Sequence, residues 1–233
     1  MKDFDKIYDL FEEACENADE GIYSEKDLRK FEEVLEKLGT PEKGKADEKA
    51  TLYAYCLAHL ANATFSLAEF EYDSDDISEQ QALDRFADAD KRFKESQDIF
   101  SAMQQTNDRD YLYADACQMY AEFISYVCCD SEKRGLHDLK KKDIENLYRK
   151  SIDMYENLLN CEGYDTRDEL IDVCYNAAGY FYGKDMYEKS HPLFERAKAL
   201  AEEIEGEEPG SYSDLFEIID DYLKEGKDGK LFV

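Results

Sequence analysis

No tryptophan occurs in this 233-residue chain, and only 3 prolines and 11 glycines interrupt it. So few breakers leave long uninterrupted elements as the expectation. Cysteines number seven (Cys15, Cys56, Cys117, Cys128, Cys129, Cys161, Cys174), an odd count with no CxxC spacing, which argues against a regular disulfide framework or a zinc ribbon. Most of them fall on apolar helical positions, where a free thiol acts as a small hydrophobe. Positive charge is scarce: 29 Lys and Arg stand against 57 Asp and Glu, a net charge of −28. A surface of that sign repels phosphate backbones and anionic lipid, so neither nucleic acid nor membrane is an expected partner, whereas a basic protein segment is steered towards it. No run reaches the roughly 18 apolar residues of a membrane helix. The start, MKDFDKIYDLFEEA, lacks the apolar core of a signal peptide. The expected setting is soluble, reducing and cytoplasmic, where the Asn62-Ala63-Thr64 sequon carries little weight.

Signatures of chemistry are missing too. There is no glycine-rich phosphate loop, and no Ser or Cys stands in a nucleophile motif, so the reading is a non-enzyme without a cofactor. Glu188-x-x-His191 has the spacing of a helical di-iron pair, but the second Glu-x-x-His is absent: Cys56 and Arg134 precede the other histidines by three. Pro192 follows His191 directly and points to a capping role instead. Asp73-x-Asp75 begins like a calcium loop yet lacks glycine at position six and glutamate at twelve. Cys128-Cys129 has no Cys or His pair near it to complete a soft-metal site.

What is present reads as helix from end to end. Ile7, Leu10, Phe11, Ala14 and Ala18 recur at 3–4 residue spacing up to Gly21. Ser24 with Asp27 opens a second helix, whose buried face is Leu28, Phe31, Val34, Leu35 and Leu38, before Gly39 and Pro41. Residues near 46–71 are apolar almost all round and predict a central helix, broken by the acidic run 73–76. Ser78 with Gln81 has the spacing of a capping box ahead of a long helix with Phe86, Phe93 and Phe100. A fifth helix spans about 110–129, a loop 130–140, and a sixth helix carries Ile144, Tyr148, Ser151 and Tyr155. Thr166 with Glu169 and Asp185 with Glu188 are expected to cap the seventh and eighth, and a short ninth (Leu215, Ile218, Ile219, Tyr222) closes the chain. No stretch alternates with period two, so no sheet is expected. The expectation is one all-α domain over 1–233, about nine antiparallel helices paired as hairpins near 4–39, 46–105, 110–160 and 166–205, with a capping helix at 211–224.

The segment 171–204 resembles one tetratricopeptide repeat. That motif sets a small residue midway along its first helix and an aromatic three later, then small, aromatic, small at i, i+4, i+7 of the second. Ala178, Phe181, Ser190, Phe194 and Ala197 fill those places in order. The second-helix pattern recurs as Ala89, Phe93, Ser96 and, more weakly, as Ile144, Tyr148, Ser151, with Ala61 and Ala121 at the small position of the preceding helices. The aromatics 93, 148 and 194 lie 55 and 46 residues apart rather than the family's 34, so the repeats are degenerate.

The resemblance implies an adaptor that binds a peptide or a basic protein segment in a groove lined by first helices. In one subclass Lys, Arg and Asn on those helices clamp a carboxyl terminus. Placed by the small-residue register, this chain has Asn62, Asp115, Glu122, Asp172 and Asn176 there. Acids in place of bases disfavour a carboxylate ligand and suit a Lys/Arg-rich one. The tyrosines, 18 in number, supply either groove anchors or packing between hairpins, packing being the favoured use. Two other readings stand beside the adaptor: an acidic mimic of nucleic-acid charge, and, less favoured because the arginines are scattered, a phosphopeptide binder of the 14-3-3 kind or a helical enzyme.

Overall fold

The computed structural model describes residues 2–16, 23–42, 47–129, 141–207 and 209–227. Helix takes 84% of the described residues and none of them is in a strand, so the chain is an all-α helical array. Nine helices lie among these residues: α1 (Lys2–Cys15), α2 (Glu25–Leu38), α3 (Glu48–Asp73), α4 (Glu79–Ala102), α5 (Asn107–Cys129), α6 (Lys141–Leu159), α7 (Arg167–Tyr182), α8 (Tyr187–Glu207) and α9 (Ser213–Lys227). The expected stop at Gly21 and the expected 130–140 loop lie outside the described residues. Two compact units divide the chain, Met1–Ile144 and Glu145–Val233.

In the first unit α3 is the hub, and it packs against α1, α2, α4 and α5, while α4 also packs against α5. Apolar residues all round are what such a position demands, and Leu52, Ala54, Cys56, Ala58, Ala61 and Phe65 are among its buried side chains. The order of packing is that of stacked hairpins: each first helix (α1, α3, α5) meets the next first helix, and each second helix (α2, α4) meets the first helix after it. Small residues allow the close approach: Ala89 and Ser96 of α4 are fully buried, and the Ser96 hydroxyl donates to the Ala54 carbonyl at 2.7 Å. Aromatic rings fill the seam to the following hairpin. Phe93 stacks on Tyr120 of α5 with centroids 5.0 Å apart, and Phe31 of α2 stacks on the His59 ring of α3 at 6.1 Å.

In the second unit α7 and α8 form a hairpin and α9 packs on α8. Ala178, Phe181, Ser190, Phe194 and Ala197 are all buried. Phe194 stacks face to face on Tyr222 of α9 at 4.8 Å and meets Tyr175 of α7 edge-on. Tyr148 of α6 meets Tyr180 of α7 at 6.3 Å.

The caps divide into two groups. At α2 the Ser24 backbone N–H donates to the Asp27 carboxylate at 2.9 Å. At α4 the Ser78 N–H donates to Gln81 Oε1 at 2.9 Å and Gln81 N–H returns to Ser78 Oγ at 3.4 Å. The other two expected boxes do not form. Thr166 is fully buried and its hydroxyl donates to the Tyr155 carbonyl at 2.8 Å; satisfying a buried carbonyl outranks a solvent-reachable cap. Asp185 sits at φ 58 in the turn, two residues ahead of α8, and its carboxylate accepts from the Tyr187 hydroxyl at 3.1 Å. α8 begins early enough to carry Pro192 inside it rather than in its first turn.

Candidate functional site

The acids and asparagines placed by the small-residue register fall on first helices, three in one unit and two in the other. Asn62 lies half-buried on α3, and Asp115 and Glu122 half-buried on α5. Asp115 accepts a hydrogen bond of 2.5 Å from the Tyr55 hydroxyl of α3, which puts it on the α3–α5 seam. Glu122 follows two turns later on the same side, where its carboxylate accepts from Gln118 at 3.0 Å; Asn62 stands in the same relation to Tyr55. The three therefore share one stretch of the first-helix face. Asp172 and Asn176 lie on α7 in the second unit, Asp172 exposed and Asn176 half-buried. Desolvation and the like charges of Asp168 and Glu169 hold the Asp172 carboxyl above the usual range.

Bases are scarce on three of the first helices, although α1 carries Lys2 and Lys6. Each of α3, α5 and α7 carries a single Lys or Arg (Lys49, Arg109, Arg167), whereas α2, α4 and α6 carry four each and α8 three. Four of the second-helix arginines and lysines pair with acids of a neighbouring second helix, and Arg85 reaches α3 as well. Arg85 of α4 meets Glu25 of α2 at 3.1 Å and Glu71 at 2.8 Å, and Arg92 meets Glu32 of α2 at 3.8 Å and Asp88 at 2.8 Å. In the second unit Lys189 and Arg196 of α8 reach Glu145 and Glu156 of α6, both at 2.7 Å.

At the N-terminal end of the first-helix face of the first unit a groove of about 610 Å³ opens between α1, α3 and α5. Phe4, Tyr8, Leu52 and Leu112 line it together with the acids Asp5, Glu48 and Asp108. Tyr8 is 44% exposed. Arg109 also reaches this groove, but its guanidinium is committed elsewhere: it donates to the Phe100 carbonyl at 2.6 Å, pairs with Asp110 and lies over the Tyr113 ring at 4.7 Å.

One constellation is not visible in the sequence. Cys15 Sγ lies 3.8 Å from Nδ1 of His59, and the rings of Phe11, Phe31 and Tyr55 surround that imidazole with centroids 5.3, 6.1 and 4.4 Å away. Desolvation in this box lowers the His59 pKa to about 4. A neutral imidazole cannot hold a thiolate as an ion pair, and Nε2 has no hydrogen-bond partner to orient it, so the pair lacks what activates a nucleophile. The two residues lie 44 apart in sequence, and only the register of the first hairpin against α3 could have joined them on paper.

Among the described residues no group of three His, Cys, Asp or Glu side chains could hold a metal ion. Asp73 ends α3 and Asp75 sits at φ 61 in the following turn, and His191 Nε2 is buried without a hydrogen-bond partner. The side chains of Cys128 and Cys129 lie outside the described residues. Tyr113 and Tyr182 are packing groups: Tyr113 is 1% exposed and stacks on Phe100, and Tyr182 meets Tyr187 and Tyr222 edge-on. No helix among the described residues is long and apolar enough to cross a membrane. No protein-family model matches the chain, and no curated protein is similar to it.

Proposed function

We propose that this chain is a tetratricopeptide-like adaptor that binds a basic segment of another protein along its first-helix face. The observation that carries the reading is the sorting of charge. Bases are concentrated on α2, α4, α6 and α8, where acids of neighbouring second helices engage Arg85, Arg92, Lys189 and Arg196, while α3 and α5 present Asp115, Glu122 and the tyrosines with one base each. If the charge served solubility alone, the bases would have no reason to avoid α3, α5 and α7. A mimic of nucleic acid needs bare, evenly spaced acids; here second-helix acids are engaged by bases. A phosphopeptide site needs bases facing a groove, and Arg109 is tied to Phe100 and Asp110. The resemblance in the repeat positions adds support, since the aromatics at 93, 148 and 194 each touch a helix outside their own hairpin.

Reversal of Asp115 and Glu122 to Lys tests the reading against reversal of the exposed second-helix acids Glu36 and Asp98. Binding of fluorescein-labelled Lys/Arg-rich 15-residue peptides is followed by anisotropy at low and high salt. The face reversal is expected to weaken binding at least tenfold and the outer reversal by less than threefold. Equal losses would leave diffuse charge as the whole cause and reject the face.

A further inference from the structure

The groove between α1, α3 and α5 constrains the partner by shape as well as by charge. Building on the adaptor reading, we infer that this groove is an anchor pocket for one large apolar side chain, Leu, Phe or a residue of similar size, carried within the basic segment. The floor is apolar, made by Phe4, Tyr8, Leu52 and Leu112. Tyr8 keeps 44% of its surface open to solvent, although it sits beside the buried Phe11 at 6.4 Å. An apolar ring left open beside a concavity marks a place where further burial is still available. A volume of about 610 Å³ is within the usual range of roughly 300–1,000 Å³ for small-ligand sites, so it admits one or two side chains rather than a whole helix.

The rim settles the sign of what surrounds that anchor. Asp5, Asp47, Glu48 and Asp108 stand at the N-terminal ends of α1, α3 and α5, where each helix offers about half a positive charge. Three termini offset about 1.5 of four negative charges, and Asp110 neutralises Arg109. The balance stays negative, so an anionic occupant is repelled and Lys or Arg beside the anchor is attracted. The groove lies at the N-terminal end of the face that carries Tyr55, Asp115 and Glu122, one to three turns away along the same helices. A segment seated there continues onto those acids without leaving the first unit.

The test uses the full chain and three synthetic labelled peptides of equal length: Lys/Arg-rich with one central Phe, the same with Ala in its place, and a Glu-rich peptide with the Phe. Two variants accompany the wild type, Tyr8→Ala with Leu112→Gln for the floor, and Asp115→Lys with Glu122→Lys for the face; circular dichroism and melting confirm that each is folded. The expected result is that wild type binds the Phe peptide about tenfold tighter than the Ala peptide, with no binding of the acidic one. The floor variant should lose that preference while still binding both basic peptides, and the face variant should weaken both equally. Should Phe and Ala peptides bind wild type alike, or the floor variant keep the preference, the anchor is overturned and the adaptor reading survives. Binding of no basic peptide, or of the acidic one as well, overturns both. Sedimentation velocity covers a remaining occupant: a wild-type dimer that Tyr8→Ala turns into monomer assigns the groove to a second copy and rejects the inference.

Discussion

Above about pH 7.5 the His59 imidazole is neutral whether the chain is folded or not, and it adds nothing to the pH dependence of stability. Below that, the unfolded chain takes up a proton near the ordinary value of about 6.5, while the folded one resists until about 4. The unfolded state binds more protons in this window, so folding is disfavoured progressively as pH falls from 6.5 to 4. At pH 5 the penalty from this residue alone is about 2 kcal/mol. His59→Phe keeps a ring among Phe11, Phe31 and Tyr55 and removes the proton site. Urea denaturation at pH 7.5 and pH 5 should therefore show wild type losing about 2 kcal/mol more than the variant between the two conditions. Identical losses would mean that water reaches the imidazole in the folded state. Nothing in the sequence around His59 announces this environment, because its walls come from three different helices.

At the level of elements, most of the fold was legible because helical periodicity is local. The boundaries of α2, α3 and α4 follow from Ser24, Gly39, the acidic run after Tyr72, and Ser78 with Gln81, each acting within a few residues of itself. The burial of Phe93, Tyr148 and Phe194 followed from the small–aromatic–small spacing for the same reason. What was not legible depended on a partner distant in sequence. Thr166 reads as a cap beside Glu169, yet its hydroxyl is drawn 11 residues back to the Tyr155 carbonyl. Ser190 reads as one more small polar residue, yet its hydroxyl is buried with no hydrogen-bond partner. These two contexts predict opposite outcomes for similar surgery. Thr166→Val keeps the shape but removes the buried hydroxyl's bond to the Tyr155 carbonyl, and should cost about 0.5–1.5 kcal/mol. Ser190→Ala removes an unsatisfied group, and should leave stability unchanged or raise it. Thermal melting of the two variants decides the matter; a cost at Ser190 equal to that at Thr166 would show that its hydroxyl is bonded in solution.

For the whole molecule the decisive quantity is 57 acids against 29 bases, and the bases are not shared evenly. Salt acts on this arrangement in two opposing ways. It weakens the second-helix ion pairs, such as Arg92–Asp88 and Lys189–Glu145, each worth about 0–1 kcal/mol when exposed. It also screens the repulsion among acids on the base-poor first helices, where desolvation first, and then the charges of Asp168 and Glu169, raise the cost of ionising Asp172 on α7. With a net charge of −28 the repulsive pairs outnumber the attractive ones, and most act over distances comparable to the Debye length of about 10 Å at 0.1 M. Screening the repulsion is the larger effect, so the melting temperature should rise between roughly 0.01 M and 0.5 M NaCl at neutral pH. Replacing Asp115, Glu122 and Asp172 by their amides should reduce that rise, since it removes negative charge from helices that carry a single base each. Replacing the engaged acids Glu32, Glu145 and Glu156 in the same way should reduce it less, because each also gives up an attractive partner. A melting temperature that falls with salt would place the ion pairs above the repulsion, and would remove the physical reason for a basic partner to prefer the first-helix face.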